Sequence, residues 1–167
     1  MALFDEAGEA RVILMKRPDT MPSHQGEIAF PGGKFEERVD AALCDAALRE
    51  AHEEIGLDPR SVELLVELDS LTTVAGRFLL TPFVGALRGR PALTPHVDEV
   101  VSVFDVAISE LLDDDAYREE RWDIPAEPGP EAGIDRPIHF FELPGETVWG
   151  ATARILVGFL EHLTSTR

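Results

Sequence analysis

Basic residues are scarce in this chain: 15 Lys and Arg stand against 32 Asp and Glu in 167 residues, a formal net charge of −17. A balance so acidic excludes a broad nucleic-acid surface and an anionic-membrane surface. Should the ligand itself be an anion, something local must cancel the repulsion, and a bound divalent metal is the economical candidate. Cysteine is almost missing. Cys44 stands alone, so no internal disulfide can form, which fits a reducing compartment. Long apolar runs are missing too, since "ILVGFL" at 155–160 falls far short of a bilayer span. The opening "MALFDEAGEA" has neither a basic nor an apolar signal region, and a cytoplasmic location is expected.

What remains is an ordinary globular composition, 44% hydrophobic and 28% charged, without internal repeats or a linker. One domain over 1–167 is the expectation. "ARVILMKR" (10–17) reads as a buried strand and "EIAFPGG" (27–33) as a short strand ending in a turn. The segments "SVELLVELDSL", "RFLLTPFVGAL" and "DEVVSVFDVAI" are β-branched or alternating enough for strands, and "ISELLDDD" for a helical turn. The stretch 124–137 is dense in Pro and Gly and is expected to be a surface loop. "IHFFEL" reads as a strand, and 147–163 as a closing amphipathic helix that Trp149 begins. Trp149 and Trp122 are both expected to be packing residues. The pattern predicts an α/β sandwich, a mixed sheet covered by a helix on each side.

The clearest helix is 39–56, rich in Ala, Leu and Glu, with Gly56 as its stop. At about 100° per residue, Cys44, Leu48, Ala51 and Ile55 form an apolar stripe, while Glu50, Glu53 and Glu54 lie roughly opposite. The three acids are therefore expected to point away from the core. Such spacing costs only a few tenths of a kcal/mol in an isolated helix, so a solvated face is the bland explanation. Three neighbours argue for more. The "PGG" before the helix permits positive φ and close approach of a ligand to the main chain. Arg49 sits among the acids, able to pair with Asp40 or Glu36. Hard oxygen donors on a rigid helix are what Mg²⁺ or Mn²⁺ requires, often shared with substrate phosphates.

Their order resembles the Nudix hydrolases, whose box runs Gly, five residues, Glu, seven residues, Arg-Glu, an aliphatic, any residue, Glu-Glu, any residue, Gly, aliphatic. Here Arg49-Glu50-Ala51-His52-Glu53-Glu54-Ile55-Gly56-Leu57 matches the second half and Gly33 the start. The interval from Gly33 to Arg49 is two residues longer than the common box. Of the acids within it, Asp40 is the favoured structural partner of Arg49. The resemblance implies a Nudix-type α/β/α sandwich. It also implies that Glu50, Glu53 and Glu54, with the Gly33 main chain, bind Mg²⁺ or Mn²⁺. Glu50, Glu53 and Glu99 become the candidate catalytic carboxylates, with Asp98 the rival of Glu99. The implied substrate is a small nucleoside diphosphate derivative.

The lead-in narrows the substrate. Ile13, Leu14, Arg17, Gly26, Phe30, Pro31, Gly32 and Gly33 match the segment that precedes the box in the coenzyme A pyrophosphatase branch. Two positions depart from it: Met15 stands where Thr is usual, and Pro22 where an Arg is frequent. Arg17, His24, Lys34 and Arg77 are the basic candidates for substrate contact. The reading is hydrolysis of coenzyme A or its acyl esters to 3′,5′-ADP and (acyl-)4′-phosphopantetheine. The alternatives are the same chemistry on ADP-ribose, NADH or a nucleoside triphosphate, and a non-catalytic nucleotide-binding module.

Overall fold

The computed structural model describes residues 1–20, 25–73, 78–124 and 134–165. In chain order the elements are β1 (Ala2–Glu6), β2 (Glu9–Lys16), β3 (Ile28–Ala29) and α1 (Leu43–Ile55), then a 3₁₀ turn at Pro59–Ser61. They continue with β4 (Glu63–Glu67), β5 (Leu71–Thr72), β6 (Leu79–Leu80), β7 (Phe83–Leu87), β8 (Ser102–Ala107) and α2 (Ile108–Leu111). The chain closes with β9 (Tyr117–Ile124), β10 (Ile134–Leu143), β11 (Glu146–Trp149) and α3 (Gly150–Ser165).

The organising strand is β2. Its residues 11–16 pair with β8, while 9–12 pair with β1 and 15–16 with β3, all antiparallel. Because Arg11 is opposite both Phe4 and Ala107, β1 and β8 must occupy opposite edges. A parallel β1–β7 pair and an antiparallel β7–β4 pair complete a mixed six-stranded sheet. A three-stranded sheet, β11-β10-β9, and the β5–β6 pair stand beside it.

The unbroken apolar run of β2 follows from burial on both faces. Val12 and Leu14 point into a core with Phe141, Val148, Leu156 and Phe159, so α3 covers that side. Ile13 and Met15 point the other way, into a second core with Ala51, Ile55 and Leu57, so α1 covers this one. The expected α/β sandwich is the observed one, with α2 as a third, single-turn helix.

Several expectations need correction. Helix α1 begins at Leu43, not at residue 39. The preceding segment turns instead, with the Asp40 N–H donating to the Glu36 carbonyl at 2.8 Å and the Asp40 carboxylate accepting from the Glu36 N–H at 2.8 Å. Asp45 then accepts from the Ala42 N–H at 2.9 Å and starts the helix. The ends of the expected loop 124–137 are strand, with residues 125–133 outside the described residues. Pro137 is accommodated because β11 pairs only with Phe140–Leu143, leaving this stretch of β10 one neighbour. Strand β9 was hidden by its charges, which are matched across strands: Arg121 with Asp135 at 2.7 Å, Arg118 with Glu142 at 2.9 Å. Trp149 closes β11 instead of opening α3. It is 40% exposed and stacks on Phe140, and Trp122 is 41% exposed beside it.

Ile55 is fully buried where α1 meets β2. Ile55→Ala should cost about 2–5 kcal/mol of unfolding free energy. Urea titration measures this; a loss near zero would mean that α1 is not anchored at this point.

Candidate active site

The site is assembled by Arg49. Its Nε and Nη2 grip the two oxygens of Asp40 at 2.9 and 3.0 Å, in the bidentate form that suits guanidinium and carboxylate. Nη2 also donates to the Lys34 carbonyl at 3.0 Å. Nη1 donates to Glu50 Oε1 at 2.9 Å and to Glu53 Oε2 at 3.2 Å. Asp40 is only 6% exposed, and its bonds from Arg49 hold its carboxyl below the ordinary carboxylate range. The same contacts raise the pKa of Arg49, which stays charged throughout. Of Glu36 and Asp40, the guanidinium takes Asp40, the partner favoured from the sequence.

The three glutamates do not share one environment. Glu53 faces solvent, with its side chain 55% exposed. Glu50 is largely covered and lies against Gly33. Glu54 is the correction: far from pointing away from the core, it is 4% exposed. Its Oε2 accepts the Gly32 N–H at 2.9 Å, and its Oε1 lies 3.6 Å from Arg17 Nη1. Burial pushes its carboxyl up to about 7, against the pull of the Gly32 N–H and of Arg17; Glu50 and Glu99 add to the rise.

The two glycines have separate roles. The positive φ belongs to Gly32, at +149°, not to Gly33. Gly33 is required for space, because a Cβ there would collide with the Glu50 carboxylate. Glu99 reaches the cluster through the end of α1. Gly56 turns the chain at φ +70°, and the freed carbonyls of Glu54 and Ile55 accept the N–H groups of His96 and Thr94, both at 2.8 Å. A turn from His96 to Val100 then carries Glu99, half exposed and 3.8 Å from the His96 ring.

Of the basic candidates, Arg17 lies beside Glu54, and its Nε is buried without a hydrogen-bond partner among the described residues. Lys34 extends over the Phe78 ring, 5.5 Å from its centre. His24 and Arg77 fall outside the described residues. Among the described residues, no three His, Cys, Asp or Glu side chains stand close enough to hold a cation as placed. The donor chemistry nevertheless fits one. Glu50 and Glu99 are near enough to raise the Glu54 pKa, and Gly33 leaves the Glu50 carboxylate a clear side.

A NUDIX domain model matches residues 1–126. The chain belongs to the Nudix hydrolase family. It is 38% identical over 164 residues to Nudix hydrolase 22, chloroplastic, of Arabidopsis thaliana, an alignment covering 94% of this chain and 51% of that one. It is 36% identical to Nudix hydrolase 15, mitochondrial, of the same plant, covering 94% and 54%. It is 37% identical to the uncharacterized Nudix hydrolase NudL of Enterobacter sp., covering 87% and 71%. The chain thus spans about half the length of the two plant relatives. Among solved structures, a MutT/nudix family protein from Enterococcus faecalis superposes with a TM-score of 0.59 at 18% identity, over 98% of this chain and 60% of that one. The NUDIX domain of Shewanella oneidensis NrtR, complexed with ADP ribose, superposes with a TM-score of 0.51 at 20% identity, covering 66% and 71%. These two likenesses concern the fold alone.

The buried Glu54 predicts a pH signature for the metal-free protein. Its folded pKa, about 7, lies above its ordinary 4.5, so folding favours the protonated form. That stability is complete below pH 4.5 and is lost as pH rises to about 7, a difference of about 3 kcal/mol. Glu54→Gln keeps an acceptor for the Gly32 N–H but does not titrate. In excess EDTA, the variant should therefore gain stability relative to the parent chain between pH 5 and 7.5, read by urea unfolding. A constant difference across that range would show that Glu54 is not held in a desolvated site.

Proposed function

We propose that this chain is a divalent-metal-dependent Nudix pyrophosphohydrolase that cleaves the diphosphate of coenzyme A or an acyl-coenzyme A. The observation that carries the hydrolase reading is the Arg49 hub, which holds Glu50 and Glu53 in fixed register beside the Gly32–Gly33 turn while Glu54 faces inward from the same helix. A regulatory binding module has no need of such an arrangement of carboxylates. The substrate reading is supported by the lead-in residues from Ile13 to Gly33 that resemble the coenzyme A pyrophosphatase branch. ADP-ribose stands as the second reading, since the NrtR NUDIX domain, of similar fold, is described with that ligand.

Glu50 and Glu54, joined by Glu99 and the Gly33 main chain, would hold Mg²⁺ or Mn²⁺. Bound there, the cation supplies Lewis-acid neutralisation of the diphosphate and lowers the pKa of water. The chain's own part is positional. Arg49 fixes one oxygen of Glu50 and leaves the other toward Gly33. Arg17 offsets negative charge on Glu54, and the half-exposed Glu53 and Glu99 are available to accept a proton from attacking water.

Metal removal and substitution test the hydrolase reading together. Turnover should vanish in chelator and return with Mg²⁺ or Mn²⁺. Glu50→Gln and Glu54→Gln should each lower kcat by about a hundredfold or more in folded protein. Full activity in excess EDTA, or parental rates in both variants, would overturn it. A substrate panel of coenzyme A, acyl-coenzyme A, ADP-ribose and NADH decides the finer reading; a clear preference for ADP-ribose would remove coenzyme A.

Gly33→Ala is the geometric test. The Glu50 carboxylate can swing from a new methyl group, so stability should change little while kcat/KM falls about a hundredfold. An unaffected rate would mean that the Glu50 position is immaterial.

A further inference from the structure

A cavity of about 510 Å³ lies between β5, β10 and the beginning of α3, lined in part by Ser70, Thr72, Arg136, Gly150 and Arg154. Its volume is in the range of small-molecule sites, on the order of 300–1,000 Å³. None of the acidic residues around Arg49 lines it. Its charge is unusual for this molecule. Seven of the eleven described arginines lie within ion-pair distance of carboxylates, and of the other four Arg38 and Arg88 do not line this cavity. Arg136 and Arg154 have no ion pair among the described residues, and both face this one space. In a chain of net charge −17, two guanidinium groups without ion pairs lining one cavity favour an anion there.

The other lining groups suit the same ligand. Helix α3, 16 residues long, begins at Gly150 on the cavity wall, where its first N–H groups and the positive end of its dipole favour negative charge. Thr72 and Ser70 add hydroxyls. Planar guanidinium forks, hydroxyls and a helix start together match a phosphate monoester better than a single carboxylate.

The cavity is also tied to the carboxylate cluster. The Thr73 N–H donates to the Phe78 carbonyl at 3.0 Å across the β5–β6 pair, placing Phe78 beside the cavity wall. Lys34 lies over the Phe78 ring, and its carbonyl is held by Arg49. Thr73, Phe78 and Lys34 thus form a chain of contacts from the cavity wall to the main chain that Arg49 holds.

We infer that this cleft is an anion subsite, in which Arg136 and Arg154 take a phosphate monoester borne by the substrate away from its diphosphate. The inference rests on the proposed hydrolase reading for its substrate, but the cleft can be probed without turnover.

Two measurements test it. In the first, kcat/KM is determined for coenzyme A and dephospho-coenzyme A with the parent chain, Arg136→Gln, Arg154→Gln and the double variant. The ratio between the two substrates should fall about tenfold or more in each single variant, through KM, and further in the double variant. An unchanged ratio overturns the assignment. In the second, calorimetry compares adenosine 3′,5′-bisphosphate with 5′-AMP, in EDTA. The parent chain should bind the bisphosphate more tightly, and the double variant should lose that preference. A preference that survives in the double variant overturns the cleft. Bisphosphate binding that does not compete with substrate overturns its role as a substrate subsite. Should coenzyme A not be cleaved while the double variant loses the bisphosphate preference, the subsite stands and the coenzyme A reading falls.

Discussion

Arg49 uses Nε, Nη1 and Nη2 at once, and the order of the acidic cluster depends on that. Two bonds to Asp40 pin the turn before α1, one to the Lys34 carbonyl pins the segment after the glycines, and two more align Glu50 and Glu53. A lysine could supply the charge but not the planar fork that reaches these directions together. Without it, the carboxylates on one turn of helix would repel one another with nothing to hold them in register.

The sheet supplies the rigid side of the arrangement. Because β2 is buried on both faces, α1 and α3 are held against it by separate cores, and α1 presents its acidic residues where β3 ends. The end of α1 is then joined to the segment ahead of β8, whose N–H groups satisfy the last helical carbonyls and bring Glu99 beside Glu54. A residue some 45 positions away in sequence thus enters the site through backbone hydrogen bonding at a helix end.

Charge is unevenly distributed over the molecule. Most described arginines are spent on neighbouring carboxylates, including the cross-strand pairs of β9 and β10 and the Arg90 contacts to Glu6 and Asp105. The acidic cluster at α1 and the pair of arginines lining the α3 cleft are complementary. The first has negative charge in excess and suits a cation. The second has positive charge in excess and suits an anion, and a phosphorylated ligand with its metal can satisfy both.

The sequence by itself determined the family, the α/β architecture, the acidic helix and the spacing of Glu50, Glu53 and Glu54, because each is a local pattern of period, order or composition. It could not assign the glutamates to their environments: a helical wheel places Glu54 by angle alone, whereas its burial depends on Gly32 and Arg17 arriving from other elements. Nor did it separate the two glycines, since which one needs a positive φ and which needs an empty Cβ position is set by the path of the turn and by Glu50 across it. Strand β9 escaped because its run of charged residues hides the alternation of a strand, and its partner β10 is set by tertiary pairing. Arg136 and Arg154 carry no local signature. They line one cavity because β10 and α3 pack side by side, and only the tertiary structure decides that packing.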